Sequence, residues 1–250
     1  STGAALAICA MSDRILIDAN RQLPCFYSGI KDMYMVHAFS TGGMILRWFR
    51  DTFCSAEQAI AKLAGESDYD LIGREAATIA PGCDGLLLLP HFQGSGPPES
   101  NQYAKGVFCG VTTMHTKAHF ARAIMEAVAM TLRGMVEATE EMGISVKEIR
   151  SLSGGAKSDI WCQIKADVTG RKIVTMKNTE DAACLGAAIL AGVAVGIWPN
   201  VAEAAKQTAL QNASFAPDAA NKEAYDRTYA DYKALTQIMA GYFKKGGTAE

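Results

Sequence analysis

Gly106-Val107-Phe108-Cys109-Gly110-Val111, followed after seven residues by His119-Phe120-Ala121-Arg122-Ala123-Ile124-Met125-Glu126, is the stretch that decides the fold. The first block is a short apolar strand running into a Thr-rich turn. The second lies in a long helix, from about Lys117 to Met142. Phe120, Ile124, Val128, Leu132 and Met135 make its apolar face, and Arg122, Glu126, Arg133, Glu137 and Glu140 make a polar stripe at helical spacing. Arg122 and Glu126, four apart, read as a solvated ion pair without chemistry.

Outward from that unit the chain alternates strands and helices. Residues 3–19 read as two strands with a turn at Ser12-Asp13-Arg14. Tyr34 to Phe39 is a further strand, and Gly42-Gly43 opens an apolar helix. Amphipathic helices are predicted near 55–64 and 68–79. Leu86 to Leu89 reads as a strand buried on both faces, and His91 to Asn101 as a Gly/Ser/Pro-rich loop. Ile149 to Leu152 is a strand, Ser153 to Ser158 a turn, 158–169 a helix and Lys172 to Thr175 a strand. Thr179 is expected to cap the next helix, which is rich in small residues and ends at Gly196. Two polar helices, near 200–208 and 218–243, finish the chain. Alternation of this kind predicts one α/β layered domain, with no linker or internal repeat to divide it.

The chain has 250 residues, 49% hydrophobic and 20% charged, with a formal net charge of −2, which excludes disorder as the main state. No basic field exists to hold a phosphate backbone, so nucleic acid is not an expected partner. No run of roughly 18 apolar residues marks a membrane span. Seven cysteines, no two within three residues, read as reduced thiols of a cytoplasmic protein. The opening Ser1 to Cys9 lacks the basic region of a signal peptide. It starts in mid-strand without Met, as expected of a fragment or a processed product.

The familiar catalytic signatures are missing: GxxxxGK[ST], HExxH and GxSxG do not occur. His115 and His119 have metal-ligand spacing but no third ligand nearby, so they read as solvated or capping residues and no metal site is expected. Ser153-Gly154-Gly155-Ala156 lies between a strand and a helix. Its glycines let the backbone approach a ligand, and the helix N-terminus behind it favours an anion. The sequence there fits a tight turn equally well. A Rossmann reading fails for want of a third glycine after Gly155 and of an acidic residue at a strand end about 20 positions on. Ser1-Thr2-Gly3 can wrap a phosphate with backbone N–H groups, or simply make a turn.

As a set these segments resemble the FGGY carbohydrate kinases. Gly106, Phe108, Gly110, Val111, His119, Phe120, Ala123, Ile124, Met125 and Glu126 match the family's C-terminal signature. Ser1-Thr2-Gly3 resembles the GTS-type phosphate turn that opens the family's second domain. Gly85 to Pro98 resembles the xylulokinase-type segment GLxFLPYLxGERxP. Gly154-Gly155-Ala156-Lys157-Ser158, with Trp161, Gln163, Ala166 and Asp167, resembles the adenosine-side loop and helix. Glu180 with Gly186-Ala187-Ala188 and Ala191 resembles the helix that closes the domain. The likeness covers about residues 1–200. Gly94-Ser95-Gly96-Pro97-Pro98 lacks the charged pair of GERxP, so the motif does not name the sugar.

The resemblance implies an actin-like ATPase (ribonuclease H-like) domain: a mixed sheet flanked by helices, with extra C-terminal helices at 200–245. It implies ATP-dependent phosphorylation of a sugar hydroxyl, with ATP and Mg²⁺ carried through the nucleotide phosphates. This chain would be the nucleotide-binding half, and an N-terminal FGGY domain outside it would supply the catalytic base and most sugar contacts. Thr2 and Gly3 would meet the terminal phosphates, Gly110 would lie near the phosphate path, and Gly154, Gly155 and Ala156 would line the nucleoside side. Asp159 would stand at the first turn of the helix behind. No catalytic residue is expected within the chain, homodimer formation stays open, and a non-catalytic nucleotide-binding module is the alternative.

Overall fold

The computed structural model describes residues 1–20, 22–177 and 179–246. Its strands are β1 (Ala5–Ser12), β2 (Cys25–Tyr27), β3 (Tyr34–Thr41), β4 (Leu87–Pro90), β5 (Gly106–Cys109), β6 (Glu148–Ser151), β7 (Lys172–Met176) and β8 (Gln211–Phe215). Its helices are α1 (Met44–Phe53), α2 (Ser55–Ala64), α3 (Asp68–Ala77), α4 (Lys117–Glu141), α5 (Asp159–Thr169), α6 (Ala182–Ala194), α7 (Val201–Thr208) and α8 (Lys222–Gly246). The strands form three small sheets, ordered β1-β3-β2, β4-β5 and β6-β7-β8. The third is mixed: β6 and β7 run parallel, and β8 joins β7 antiparallel.

The expected mixed sheet is β6-β7-β8, and the other strands form two separate antiparallel sheets. β1 and β6 meet only at their ends, where the Thr2 amide donates to the Leu152 carbonyl (3.1 Å). A largely apolar cleft of about 500 Å³ lies between them. The expected first hairpin is also replaced. β1 pairs with β3, from Ala5↔Thr41 to Ser12↔Tyr34, and no strand forms over 13–19. Asp18 ends this segment: its carboxylate accepts the amide N–H groups of Asn20 (2.9 Å), Gln22 (2.7 Å) and Leu23 (2.8 Å), which makes the turn that follows.

α4 is the spine of the core. Ile124, Met125, Val128, Leu132 and Met135 are buried along it. Thr116 and His119 form a reciprocal capping box at its start, with His119 Nδ1 accepting from the Thr116 amide (3.1 Å). His115 Nδ1 accepts from the Thr112 amide (2.9 Å). Both histidines serve as local caps, and among the described residues no three potential metal ligands cluster.

Arg122 and Glu126 of the polar stripe on α4 are buried, contrary to their reading as a solvated pair, whereas Arg133 and Glu137 further along it stay partly exposed. Arg122 and Glu126 are 5% and 3% exposed, with the Tyr225 hydroxyl of α8 bonded to both, and Tyr229 and Tyr232 carry that face of α8 on to Glu137 and Thr131. The spacing of these tyrosines, four then three, gives α8 an amphipathic face that its charged sequence hides. Two further expectations are corrected. Thr179 does not cap α6: it begins a 3₁₀ turn, Thr179–Asp181, and Asp181 occupies the cap position. β8, a polar strand, was not foreseen.

His91, directly after β4, is 2% exposed, and neither ring nitrogen has a hydrogen-bond partner among the described residues. Burial pushes its pKa from 6.5 down to about 4. Its folded pKa thus lies below the unfolded one. Between about pH 6.5 and 4 the unfolded chain binds a proton that the folded chain refuses, so stability drains away as pH falls through that window. His91→Phe is expected to remove this slope. The variant should gain on the wild type by about 2 kcal/mol on going from pH 7.5 to 4.5. Urea unfolding at both pH values checks this, and parallel pH dependences for the two proteins would refute it.

Candidate functional site

Thr2 and Gly3 at the start of the chain meet Gly154 and Gly155 from its middle. Gly155 N–H donates to the Thr2 carbonyl (2.9 Å), and the Ser1 and Ser153 hydroxyls lie 2.7 Å apart. The packing explains why residue 155 is glycine. A Cβ there would lie 2.7 Å from Thr2 Cβ and 3.0 Å from the Thr2 carbonyl oxygen. The constraint is steric, from the neighbouring loop. The positive-φ residue of this turn is Ser153, at φ 70°. A hydroxyl residue held in that region marks backbone strain of the kind found at ligand sites.

α1 closes the third side. Gly43 N–H donates to the Gly3 carbonyl (2.8 Å), and a Cβ on Gly43 would meet that oxygen at 2.5 Å. α5 forms the floor through Trp161, whose Nε1–H donates to the Met125 carbonyl of α4 (3.0 Å). Ser158 caps α5, its hydroxyl accepting from the Trp161 amide (3.4 Å).

These elements enclose a cavity of about 530 Å³ bordered by Thr2, Gly3, Gly43, Gly154, Gly155 and Trp161. A Cβ on Gly154 would meet nothing within 4 Å, so this residue leaves open room. Two cations reach the rim. Arg47 projects from α1, and Lys157 follows the glycine turn, paired with Glu180 at 2.7 Å. Asp70 of α3 and Glu180 supply the carboxylates there.

The structure thus assembles four of the seven predicted positions. Ala156 is buried beside them without bordering the cavity. Asp159, at the first turn of α5, is exposed, and its neighbour Ser158 takes the cavity wall instead. Gly110 lies elsewhere. It follows β5 at φ 81°, where a Cβ would meet the Gly85 carbonyl at 2.5 Å, and it borders a separate hollow with Gly82 and Leu86. The amides of Thr2 and Gly3 are already committed to the carbonyls of Leu152 and Ala5, at 3.1 and 3.0 Å. A backbone phosphate wrap by those two N–H groups is therefore not what this turn offers. Arg47, Gly43 and Tyr69 border the cavity and were not foreseen. The Gly42-Gly43 pair ahead of an apolar helix was the available signal.

Glycine turns backed by a helix start, cationic groups at the rim and an α/β frame define a domain suited to an anionic ligand. Comparison with known proteins specifies the class. Residues 10–195 match the model of the FGGY family of carbohydrate kinases, C-terminal domain, and the chain belongs to that family. It is 33% identical over 211 residues to the xylulose kinase of Bacillus subtilis, covering 84% of this chain and 40% of that protein. It is 35% identical over 195 residues to the gluconokinase of Bacillus licheniformis, covering 78% of this chain and 38% of that one. Among solved structures, gluconate kinase from Lactobacillus acidophilus superposes with a TM-score of 0.84 at 26% identity, over 98% of this chain and 47% of that one. Xylulose kinase from Rhodospirillum rubrum gives 0.81 at 29% identity, over 97% and 47%. The fold is accordingly the actin-like ATPase fold of the sugar kinases, and the chain spans less than half the length of these relatives. No helix among the described residues is long and apolar enough to cross a membrane.

Proposed function

We propose that this domain is the nucleotide-holding half of an ATP-dependent kinase acting on a hydroxyl of a sugar or polyol. The observation that carries the reading is the cavity at which Gly3, Gly43, Gly154 and Gly155 come together with Arg47 and Lys157 at its rim. Its features fit a nucleotide. Gly154 leaves room for a flat base or ribose, Trp161 gives an apolar floor, and the cations suit phosphates. ATP, when bound, supplies the phosphoryl group, with Mg²⁺ neutralising charge across its phosphate oxygens. The chain's own residues bind and orient. Gly154 and Gly155 would border the nucleoside, Thr2 and Gly3 the phosphate end, and Arg47 would meet phosphate oxygens. Relatives named for xylulose, gluconate and glycerol support a sugar or polyol acceptor, which would sit largely against a partner N-terminal domain.

Titration calorimetry with MgADP tests the reading. The wild-type chain is expected to bind, and Gly155→Val to lose at least tenfold in affinity, because the isopropyl group forces Thr2 away. An unchanged melting temperature without ligand would separate this from unfolding. No binding of MgADP or MgATP by the folded wild type would refute the proposal.

A further inference from the structure

Lys165, in the middle of α5, is 1% exposed, and its ammonium has no acid beside it. Nζ donates to the Gly155 carbonyl (3.0 Å) and to the Ser151 hydroxyl (3.3 Å), and lies 5.2 Å from the centre of the Trp161 ring. The Gly155 peptide is thereby held from both sides: its N–H by the Thr2 carbonyl, its C=O by Lys165.

A buried ammonium that meets only neutral acceptors is costly, and a methionine or leucine could fill the same space without that cost. Its retention calls for a ligand-side return. We infer that Lys165 serves a nucleotide's phosphates electrostatically, by placing an unneutralised positive charge behind the Thr2–Gly155 seam. This rests on the nucleotide reading of the cavity. A charge buried behind a phosphate site acts across low-dielectric protein, so it discriminates by the ligand's charge and not by its base.

Burial pushes the Lys165 pKa from 10.5 down to about 8. Two other titratable groups interact with it. The Cys162 thiol on its own helix is raised by burial, and in this chain the Ser1 amino group is lowered to about 6, mainly by burial. With its pKa at about 6, the Ser1 amino group is already neutral through the range in which Lys165 loses its proton.

Calorimetry with ADP and with adenosine tests the inference on the 250-residue chain. In the wild type, ADP affinity is expected to fall about tenfold from pH 7.5 to 9.5, with adenosine affinity constant within twofold. Lys165→Met should bind ADP about tenfold more weakly at pH 7.5, bind adenosine as the wild type does, and show a flat pH profile. Lys165→Gln, which keeps a donor for Gly155 without the charge, should resemble Lys165→Met. Equal losses for ADP and adenosine would make Lys165 a structural residue and overturn the inference. A flat wild-type ADP profile would overturn it without recourse to any variant. If the wild type binds neither ligand, the nucleotide reading itself falls; if it binds both but Lys165→Met does so unchanged, only this inference falls.

Discussion

Arg122→Met is expected to lower stability by about 3–5 kcal/mol, the usual cost of stranding one member of a buried ion pair. Arg122 Nε donates to Glu126 Oε1 at 2.8 Å, and its Nη2 donates to the Tyr225 hydroxyl at 2.9 Å. That hydroxyl donates onward to Glu126 Oε1 at 3.0 Å, and the Gly82 amide reaches both carboxylate oxygens at 3.2 Å. Without Arg122 the carboxylate keeps only neutral donors at 3% exposure. Burial already holds this carboxyl above its ordinary pKa, and without Arg122 it rises further. The variant's deficit should therefore shrink as pH falls from 7 towards 5, since the folded state now binds the extra proton. Adding Glu126→Gln removes the stranded charge and keeps an acceptor for Gly82, so the double variant should recover about 1–2 kcal/mol. Urea unfolding of the four proteins measures the cycle. A loss below about 1 kcal/mol for Arg122→Met would show that the pair behaves as an exposed one.

The same pair shows where the sequence stops being legible. The boundaries of α4, the strands around it and the strand–turn–helix order all follow from local periodicity, and they came out within a residue or two. Whether a polar stripe faces water does not follow, because it depends on what lands there from 100 residues away. Tyr225 and Tyr232 sit in a helix whose charged residues read as solvent-facing. Their placement on α4 is a tertiary event with no signature near Arg122. The broken first hairpin is a failure of the opposite kind. Ile15 and Ile17 alternate as strand residues do, yet both are exposed, and the chain turns directly after them, where Asp18 accepts three backbone N–H groups.

The candidate site was legible where glycines carried it. Gly3, Gly154 and Gly155 stand out because close backbone approach needs them, and the structure brings them together. Lys165 was invisible for the converse reason. A lysine at an ordinary helical position reads as solvated, and only the fold shows that it points inwards to Gly155. Gly110 was placed near the phosphates by resemblance, whereas its geometry assigns it to the contact with Gly85.

The purified 250-residue chain is expected to bind MgADP yet release no ADP in the presence of xylulose, gluconate or glycerol. Transfer of a phosphoryl group needs an acceptor hydroxyl, a base for its proton and the γ-phosphate held in line. The cavity presents one wall of such an arrangement. Its two carboxylates are poorly suited to be the base. Glu180 is tied to Lys157 at 2.7 Å, and Asp70 stands exposed to water on α3. The relatives are more than twice as long, so the chain corresponds to less than half of their length. Half a cleft also leaves the phosphates open to water, which weakens every electrostatic contact made to them. Binding without turnover is the expected pattern, measured by calorimetry alongside a coupled ADP assay on protein free of host kinases. Sugar-dependent ADP release that survives purification to constant specific activity would overturn it. Asp70→Asn and Glu180→Gln would then identify which rim carboxylate takes the proton, and a loss of turnover confined to one of them would relocate the catalytic base into this domain.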